Sequence, residues 1–198
     1  MKESILGYKV DAFSLVDCVN SIMASINYSS GISWLACFNP HSFFTTLKDG
    51  KFAASLKDAD WLIPDGIGIV MASKLLGGKL KKRLTGPDIF SSLLEKLNSQ
   101  EGIRIFFLGS SEHTLFLIKK RIETEYPNLI VAGTYSPPFK PVYSAVEIND
   151  MLSIINVSAV DVLWVGLTAP KQEKWIYENK DKLNVKFVGA VGAMFDYF

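Results

Sequence analysis

One carboxylate in the sequence, Asp65, stands where a proton-transfer group would be useful. It lies between Pro64 and Gly66, after a short apolar run, and is followed by basic residues with no acidic residue among them: Lys74, Lys79, Lys81, Lys82 and Arg83. A carboxylate on a rigid strand-to-helix turn beside concentrated positive charge suits a general base next to an anionic leaving group. The same pattern also fits a helix cap and a solvated basic face.

The elements that must position Asp65 are predicted by apolar patterning. Continuous apolar runs at Ile32 to Phe38, Ile103 to Leu108 and Asp161 to Leu167 alternate with helical segments. This pattern predicts an α/β fold, a Rossmann-like and mostly parallel sheet flanked by helices on both faces. Ligands of such sheets bind beyond the carboxyl ends of the strands. The polar or turn residues at predicted strand ends, and therefore expected to converge, are Asn39, Asp65, Gly109, Gln172 and Asp196.

Helix starts are marked by local signals. Ser14 and Asp17 predict a capped helix to Ile26, Asn39-Pro40 predicts a helix to about Leu47, and Ser144 and Glu147 cap a later one. Gly86-Pro87 starts a helix with an apolar inner face. That face consists of Ile89, Phe90, Leu93, Leu94 and Leu97. The sequence shows no repeat or flexible linker, so residues 1–198 are predicted to form a single domain.

Several motifs have competing interpretations. Gly109-Ser110-Ser111 before a helix is either an anion or ribose cradle or an ordinary cap. Gly66 to Met71 begins like a dinucleotide fingerprint, but a bulky Met occupies the sixth position, which argues against a classical NAD site. Asp58-Ala59-Asp60 precedes its strand and is predicted to be a turn at the wrong end of the sheet.

Composition excludes some classes of function. The 21 basic and 20 acidic residues are nearly balanced, so nothing indicates a nucleic-acid partner. No His, Cys, Asp and Glu cluster has metal-ligand spacing, and two histidines make a histidine triad improbable. Cys18 and Cys37 lack redox spacing, which indicates a reduced cytoplasmic setting. The apolar content of 48% leaves room for a surface patch that faces a membrane or a partner.

Four blocks of the chain together resemble a known family. They are PDGIGIVMASKLLGGKLKKRLTGPD, FFLGSSEHTLFLIKKRIETEYPNLIVAG, DVLWVGLTAPKQEKWI and VGAVGAMFD, in this order. The chain resembles the WecG/TagA/CpsF family of bacterial glycosyltransferases, family 26, over essentially its whole length. The resemblance implies an inverting transferase that moves N-acetylmannosamine or a related sugar from a UDP-sugar to a polyprenyl-diphosphate-linked acceptor. It also implies no obligatory metal and no cofactor, because the UDP-sugar is a substrate.

The resemblance assigns roles to particular residues. Asp65 becomes the base that deprotonates the acceptor hydroxyl, and Arg83 becomes a diphosphate or acceptor contact. The residues implied at the donor nucleotide are Cys37, Asn39, Gly109, Ser110, Gln172 and Asp196. The protein is expected at the inner face of the cytoplasmic membrane as a peripheral protein, in the synthesis of a surface polysaccharide or teichoic acid.

The chain departs from the family pattern in three ways. Cys37 replaces a threonine, the loop Ser-Pro-Pro-Phe at 136–139 replaces Asp-Gly-Tyr-Phe, and the basic, aromatic-rich tail of the family does not follow Phe198. We therefore expect weak UDP-sugar binding, slow turnover and a homo-oligomer formed through exposed apolar surface. The alternatives are a catalytically idle nucleotide-binding or interaction module and a nucleotide-cofactor oxidoreductase.

Overall fold

A parallel six-stranded sheet organises the computed structural model, which describes residues 2–198; Met1, part of the predicted domain, lies outside the described residues. The sheet strands are β3 (Ser33–Phe38), β4 (Trp61–Pro64), β5 (Arg104–Gly109), β6 (Ile130–Tyr135), β7 (Val162–Gly166) and β8 (Phe187–Ala190). Their spatial order is β4-β3-β8-β7-β5-β6, and every pairing among them is parallel. The predicted Rossmann-like α/β class is confirmed.

Helices cover both faces of this sheet. The helices are α1 (Leu15–Tyr28), α2 (Pro40–Thr46), α3 (Gly50–Asp58), α4 (Ile67–Leu75), α5 (Gly86–Leu97), α6 (Glu112–Glu125), α7 (Ala145–Val157) and α8 (Lys171–Asn179). One apolar core lies under α1, α5 and α6, and the other lies under α3, α7 and α8. Strand residues alternate between them: Phe106 enters one core and Phe107 the other. Burial on both sides explains the continuous apolar runs.

The predicted caps form as the sequence indicated. The Ser14 hydroxyl accepts the Asp17 amide at 3.2 Å, and the Asn39 side chain accepts the Ser42 amide at 2.8 Å. Ser144 and Glu147 form a reciprocal capping box. All five predicted inner-face residues of α5 are buried. These local signals therefore identified the helix starts correctly.

Three elements were not predicted from the sequence, two short strands and one helix. β1 (Lys2–Ile5) and β2 (Tyr8–Asp11) form an antiparallel hairpin, and α3 follows Asp49 as its N-cap. Each hairpin strand has only four residues: β2 alternates apolar and polar side chains, but β1 has a single apolar residue, and so short a pattern does not by itself indicate a strand. Asp11 attaches the hairpin to the sheet because its buried carboxylate accepts the Leu62 amide at 2.8 Å.

The topology opens a crevice at the carboxyl edge of the sheet. After β5 the chain enters α6 on one face, whereas after β7 it enters α8 on the other face. When the connections after two neighbouring strands leave toward opposite faces, the loops diverge, and ligands of such sheets bind in the space between them. The crevice lies beyond the paired ends of β5 and β7, at Gly109 and Gly166.

Candidate active site at the carboxyl edge of the sheet

Asp65 and Asn39 lie next to each other because β3 and β4 are neighbours. Phe38 pairs with Pro64 at the ends of these strands, and the Asp65 amide donates to the Phe38 carbonyl at 2.8 Å. The Asn39 oxygen is occupied by Ser42, so its amide nitrogen is the end available to the Asp65 carboxylate. Strand pairing thus places a carboxylate and an amide together at the edge where a ligand would enter.

The surroundings of Asp65 raise the pKa of its carboxyl above the ordinary value of 3.8. Burial is the main cause, and the negative charge of Asp88 contributes in the same direction. The side chain of Asn39 and the positive charge of Arg83 oppose the shift. A carboxyl group with a raised pKa gives a carboxylate that is a stronger base. The environment of Asp65 therefore favours proton abstraction.

Arg83 is exposed on the loop between α4 and α5, beside Asp65. The next residue, Leu84, donates its amide to the Pro64 carbonyl at 3.0 Å, which holds the loop against the end of β4. Arg83 is near enough to lower the pKa of Asp65 by its charge. The loop therefore delivers a cation to the neighbourhood of the carboxylate without neutralising it through a direct ion pair.

Cys37, which stands where the resemblance implies a threonine, lies on β3, between Asp65 at the end of β4 and the neighbouring strand β8. Its sulfur is 3.9 Å from the Ala190 carbonyl of β8, consistent with a weak hydrogen bond. Desolvation raises the pKa of this thiol well above its ordinary value, and the negative charges of Asp65 and Glu173 raise it further. Cys37 is therefore a neutral thiol facing both carboxylates.

A second polar group lies over β5, β7 and β8. Ser110 has a left-handed backbone, with φ of 55°, and its hydroxyl is 3.4 Å from the Asp196 carboxylate. Ser111 caps α6 by accepting the Thr114 amide at 3.1 Å. Asp196 ends a short 3₁₀ turn (Gly192–Asp196) that is held by Phe195, whose ring lies against Gly166 and Phe107. The turn after β8 thereby reaches the cradle after β5.

This group lines a cleft of about 800 Å³ at the crevice. That volume is in the range of small-molecule sites. Of the predicted residues, Ser110 and Asp196 line the cleft, whereas Asp65, Asn39, Cys37 and Arg83 lie on the β3–β4 side. The five strand-end residues share one edge, but they form two groups. The cleft residues missed by sequence reasoning include Thr114, Tyr135, Thr168, Lys171, Gly192 and Phe195.

Gly109 is required by the close approach of β5 and β7. Its φ is +120°, and an added Cβ would lie 2.3 Å from the Gly166 carbonyl oxygen. We expect Gly109→Ala to lower the free energy of unfolding by about 1–3 kcal/mol, because both strain and a backbone clash result. Urea denaturation measures the change.

Two further Gly→Ala variants serve as controls for Gly109. Gly102 has φ of +77° in open space, so Gly102→Ala isolates the strain from the clash. Gly50, at the start of α3, has open space and no positive φ, and Gly50→Ala should change stability by less than about 0.5 kcal/mol. Equal losses in the Gly109 and Gly102 variants would show that the strand contact contributes nothing.

Gln172 and Glu173 form a buried polar connection between α8 and the turn after β8. The Gln172 oxygen accepts the Gly192 amide at 3.1 Å, and its amide nitrogen donates to Glu173 at 3.0 Å. Both ends of the Gln172 amide are thus engaged inside the protein. The second carboxylate oxygen of Glu173 has no partner among the described residues. Gln172 positions the turn that carries Asp196.

Burial raises the pKa of Glu173 to about 7, and the hydrogen bond from Gln172 and the charge of Lys174 only partly oppose the shift. Sequence reasoning gave Glu173 no role. The signal was present in the helical spacing, because Gln172 and Glu173 share the buried face of Trp175, Ile176 and Asn179. A polar pair on an apolar face indicates a buried network.

The two discounted motifs have structural roles. Asp58 and Asp60 lie at the amino end of β3, where they accept the indole and backbone N–H groups of Trp34 at 3.0 and 2.9 Å. Met71 is exposed, so the sixth position of the motif faces away from the strand, where a dinucleotide fingerprint has a small residue packed against it. Gly68 instead allows contact with Pro40 of α2.

Within residues 2–198, no group of three or more His, Cys, Asp or Glu side chains is arranged to hold a metal ion. In the same part of the chain, no helix has both the length and the apolar character needed to span a membrane.

The fold and site define a class: an α/β protein whose parallel sheet carries a polar cleft and a basic carboxylate at its carboxyl edge. The family follows from comparison with known sequences. The profile described as "Glycosyl transferase WecG/TagA/CpsF family" matches residues 3–198. The chain belongs to this family.

Three curated relatives that this chain resembles carry the same name. The protein of Bacillus spizizenii called N-acetylglucosaminyldiphosphoundecaprenol N-acetyl-beta-D-mannosaminyltransferase is 32% identical over 166 residues, covering 84% of this chain and 62% of the relative. The Bacillus subtilis protein of that name is 30% identical, covering 83% and 61%. One from Staphylococcus aureus is 24% identical, covering 100% and 75%. The chain thus spans about three fifths of the length of the Bacillus relatives.

Proposed function

We propose that the chain is the core of an inverting glycosyltransferase that moves an N-acetylmannosamine-like sugar from a UDP-sugar to a polyprenyl-diphosphate-linked acceptor. The observation that carries this proposal is Asp65, a desolvated carboxylate of raised pKa at the end of β4, with Arg83 beside it. Family membership and the names of the relatives support the reaction class and the lipid-linked acceptor. A role in surface polysaccharide or teichoic acid synthesis fits this acceptor.

The chemistry requires one base and a means of stabilising the leaving group. Asp65 takes the proton of the acceptor hydroxyl, the freed oxygen attacks the anomeric carbon, and the bond from that carbon to UDP breaks with inversion. A transferase needs no paired acid, because a diphosphate leaves as an anion. Arg83 and the free amides at the start of α6 can meet the developing negative charge. Metal independence remains a prediction to be tested with chelator.

The donor is proposed to occupy the cleft over β5, β7 and β8. Gly109 and Ser110 lie directly before α6, whose first-turn amides suit a phosphate. The Ser110 amide itself donates to the Gly166 carbonyl at 3.2 Å, so Ser110 would contact the donor through its hydroxyl. The exposed Asp196 carboxylate suits the nucleoside. Gln172 acts on the donor through the Gly192 turn, and Asn39 and Cys37 lie nearer the reacting sugar on the Asp65 side.

Calorimetric titration with UDP in the presence of chelator tests the donor site. Gln172→Ala removes the bond to Gly192, and we expect UDP affinity to fall about tenfold. Gln100→Ala is the matched control, because Gln100 lies in the turn between α5 and β5, at the amino end of the sheet.

The outcomes of this titration are distinct. UDP binding that survives chelation and weakens in the Gln172 variant alone supports the proposal. Equal affinity in the Gln172 and Gln100 variants would remove Gln172 from the donor site. No UDP binding by any variant would favour the idle interaction module, and binding of a nicotinamide dinucleotide in its place would favour the oxidoreductase.

Location and assembly complete the proposal. A lipid-linked acceptor together with a nucleotide-sugar donor supports placing the protein at the inner surface of the cytoplasmic membrane, as a peripheral protein. Exposed apolar side chains, including Phe139 and Tyr197, leave surface for self-association, and a homo-oligomer is expected. Light scattering across a concentration series tests the assembly.

A further inference from the structure

The outer side of α4 and the loop after it combine exposed apolar and basic side chains. Ile67, Met71 and Leu75 recur every four residues, so they form one stripe along the helix, and Leu76 extends it. These four side chains are between 57% and 86% exposed. We call the α4 face the set formed by these four residues and the basic residues Lys74, Lys79, Lys81, Lys82 and Arg83.

The stripe is held outward by a defined set of contacts. Ile69, Val70 and Ser73 occupy the opposite side of α4 and are buried. Glu3 of the N-terminal hairpin accepts hydrogen bonds from the Ser73 hydroxyl and from the Lys79 amide, which fixes the end of the helix. Because the inner side is already packed, the apolar stripe has no partner in the described part of the chain.

The charge of the α4 face is strongly positive. All five of its basic residues are exposed, and none forms a side-chain ion pair within residues 2–198. Glu3 lies beside this face: burial opposes the shift, but hydrogen bonds from Ser73 and from backbone amides, with a smaller contribution from the charge of Lys79, lower the pKa of its carboxyl. Lys51, Lys174 and Lys180 are paired with carboxylates, whereas Lys96 and Lys120 on the opposite face are also unpaired among the described residues. The α4 face differs in placing five such cations beside an exposed apolar stripe, a combination that matches an occupant that is both anionic and apolar.

We propose that the α4 face docks on the surface of an anionic phospholipid bilayer. The lysine ammonium groups would contact the anionic headgroups, and the apolar side chains would enter the acyl boundary below them. α4 is a nine-residue helix, so it lies in the interface and does not cross it. Because α4 directly follows Asp65, docking brings the carboxylate to the membrane surface. This last consequence rests on the proposed lipid-linked acceptor, whereas the docking itself does not.

Co-sedimentation with vesicles tests the docking. We expect the chain to bind phosphatidylglycerol vesicles, and to bind poorly to phosphatidylcholine vesicles or at about 1 M salt. Each cation near an anionic surface contributes about a fivefold gain in binding, so the double variant Lys81→Glu, Lys82→Glu should bind at least about 25-fold more weakly. The variant Met71→Ser, Leu75→Ser should bind about tenfold more weakly.

Matched variants on the opposite face separate a local effect from a general one. Lys96→Glu with Lys120→Glu makes the same change of net charge on α5 and α6, and Phe116→Ser with Leu117→Ser removes exposed apolar side chains from α6. These variants should bind phosphatidylglycerol vesicles as the unsubstituted chain does. Thermal unfolding checks that every variant is folded.

Three results would overturn the proposal. They are no binding to phosphatidylglycerol vesicles, equal losses in the α4 and α6 variants, and a light-scattering change from oligomer to monomer in the α4 variants without a vesicle effect. The last result would assign the face to a second copy of the chain. UDP titration of the α4 variants keeps the two proposals separate, because nucleotide binding should be unchanged whether or not the bilayer is bound.

Discussion

Replacing Asp65 by asparagine is expected to reduce sugar transfer by about 10²–10⁴-fold, the usual contribution of a general base. Asparagine has nearly the same shape and keeps an oxygen toward Asn39, so the end of β4 should be undisturbed. UDP affinity should remain within about twofold, because the proposed donor cleft lies over β5, β7 and β8. The measurement is the initial rate of transfer to a polyprenyl-diphosphate-linked acceptor, beside calorimetric UDP titration.

The control for Asp65 is Asp181→Asn, which makes the same chemical change at an exposed carboxylate of a short 3₁₀ helix. It should transfer at the unsubstituted rate. The pH profile adds a second readout: transfer should rise with pH as Asp65 ionises, and Arg83→Gln should move this rise to higher pH, because the Arg83 charge lowers the pKa of Asp65. An Asp65→Asn variant with full transfer activity would exclude Asp65 as the base.

The unsubstituted protein is expected to lose about 3 kcal/mol of unfolding free energy as Glu173 ionises with rising pH, and Glu173→Gln is expected to remove this loss. The carboxyl has an ordinary pKa of 4.5 in the unfolded chain and a pKa of about 7 in the folded protein. Between these values the folded protein holds a proton that the unfolded chain has lost. The free energy of unfolding therefore falls as pH rises through this window, by about 1.4 kcal/mol for each unit of the shift.

Urea denaturation at pH 5 and pH 8 measures this effect. Lys174, Cys37 and the Gln172 amide face Glu173, and none of them is changed by the substitution. Glutamine retains an oxygen for Gln172 and cannot ionise, so its variant should lose less stability between the two pH values. Glu101→Gln alters an exposed carboxylate and should behave as the unsubstituted chain does. The same pH dependence in the Glu173 variant would show that Glu173 is ionised throughout.

Much of the fold was accessible from local sequence signals. The capping residues Ser14, Asn39 and Ser144 and the apolar spacing of α5 each act within one turn of helix, so neighbours along the chain suffice to identify them. The N-terminal hairpin was missed because its strands take their stability from the sheet. Asp11 contributes through its bond to Leu62, a contact that local patterning does not reveal.

The sequence by itself determined which residues end the strands, and therefore that Asn39, Asp65, Gly109 and Gln172 lie at one edge of a parallel sheet. Only the tertiary structure decided how they are grouped. The position of β8 between β3 and β7 joins Gln172 to Gly192 and brings Asp196 to Ser110. The tertiary structure also decided which groups are desolvated, including Asp65 and Glu173, and that an apolar stripe remains exposed on α4. Strand order and burial depend on packing between distant segments, and no local pattern encodes that packing.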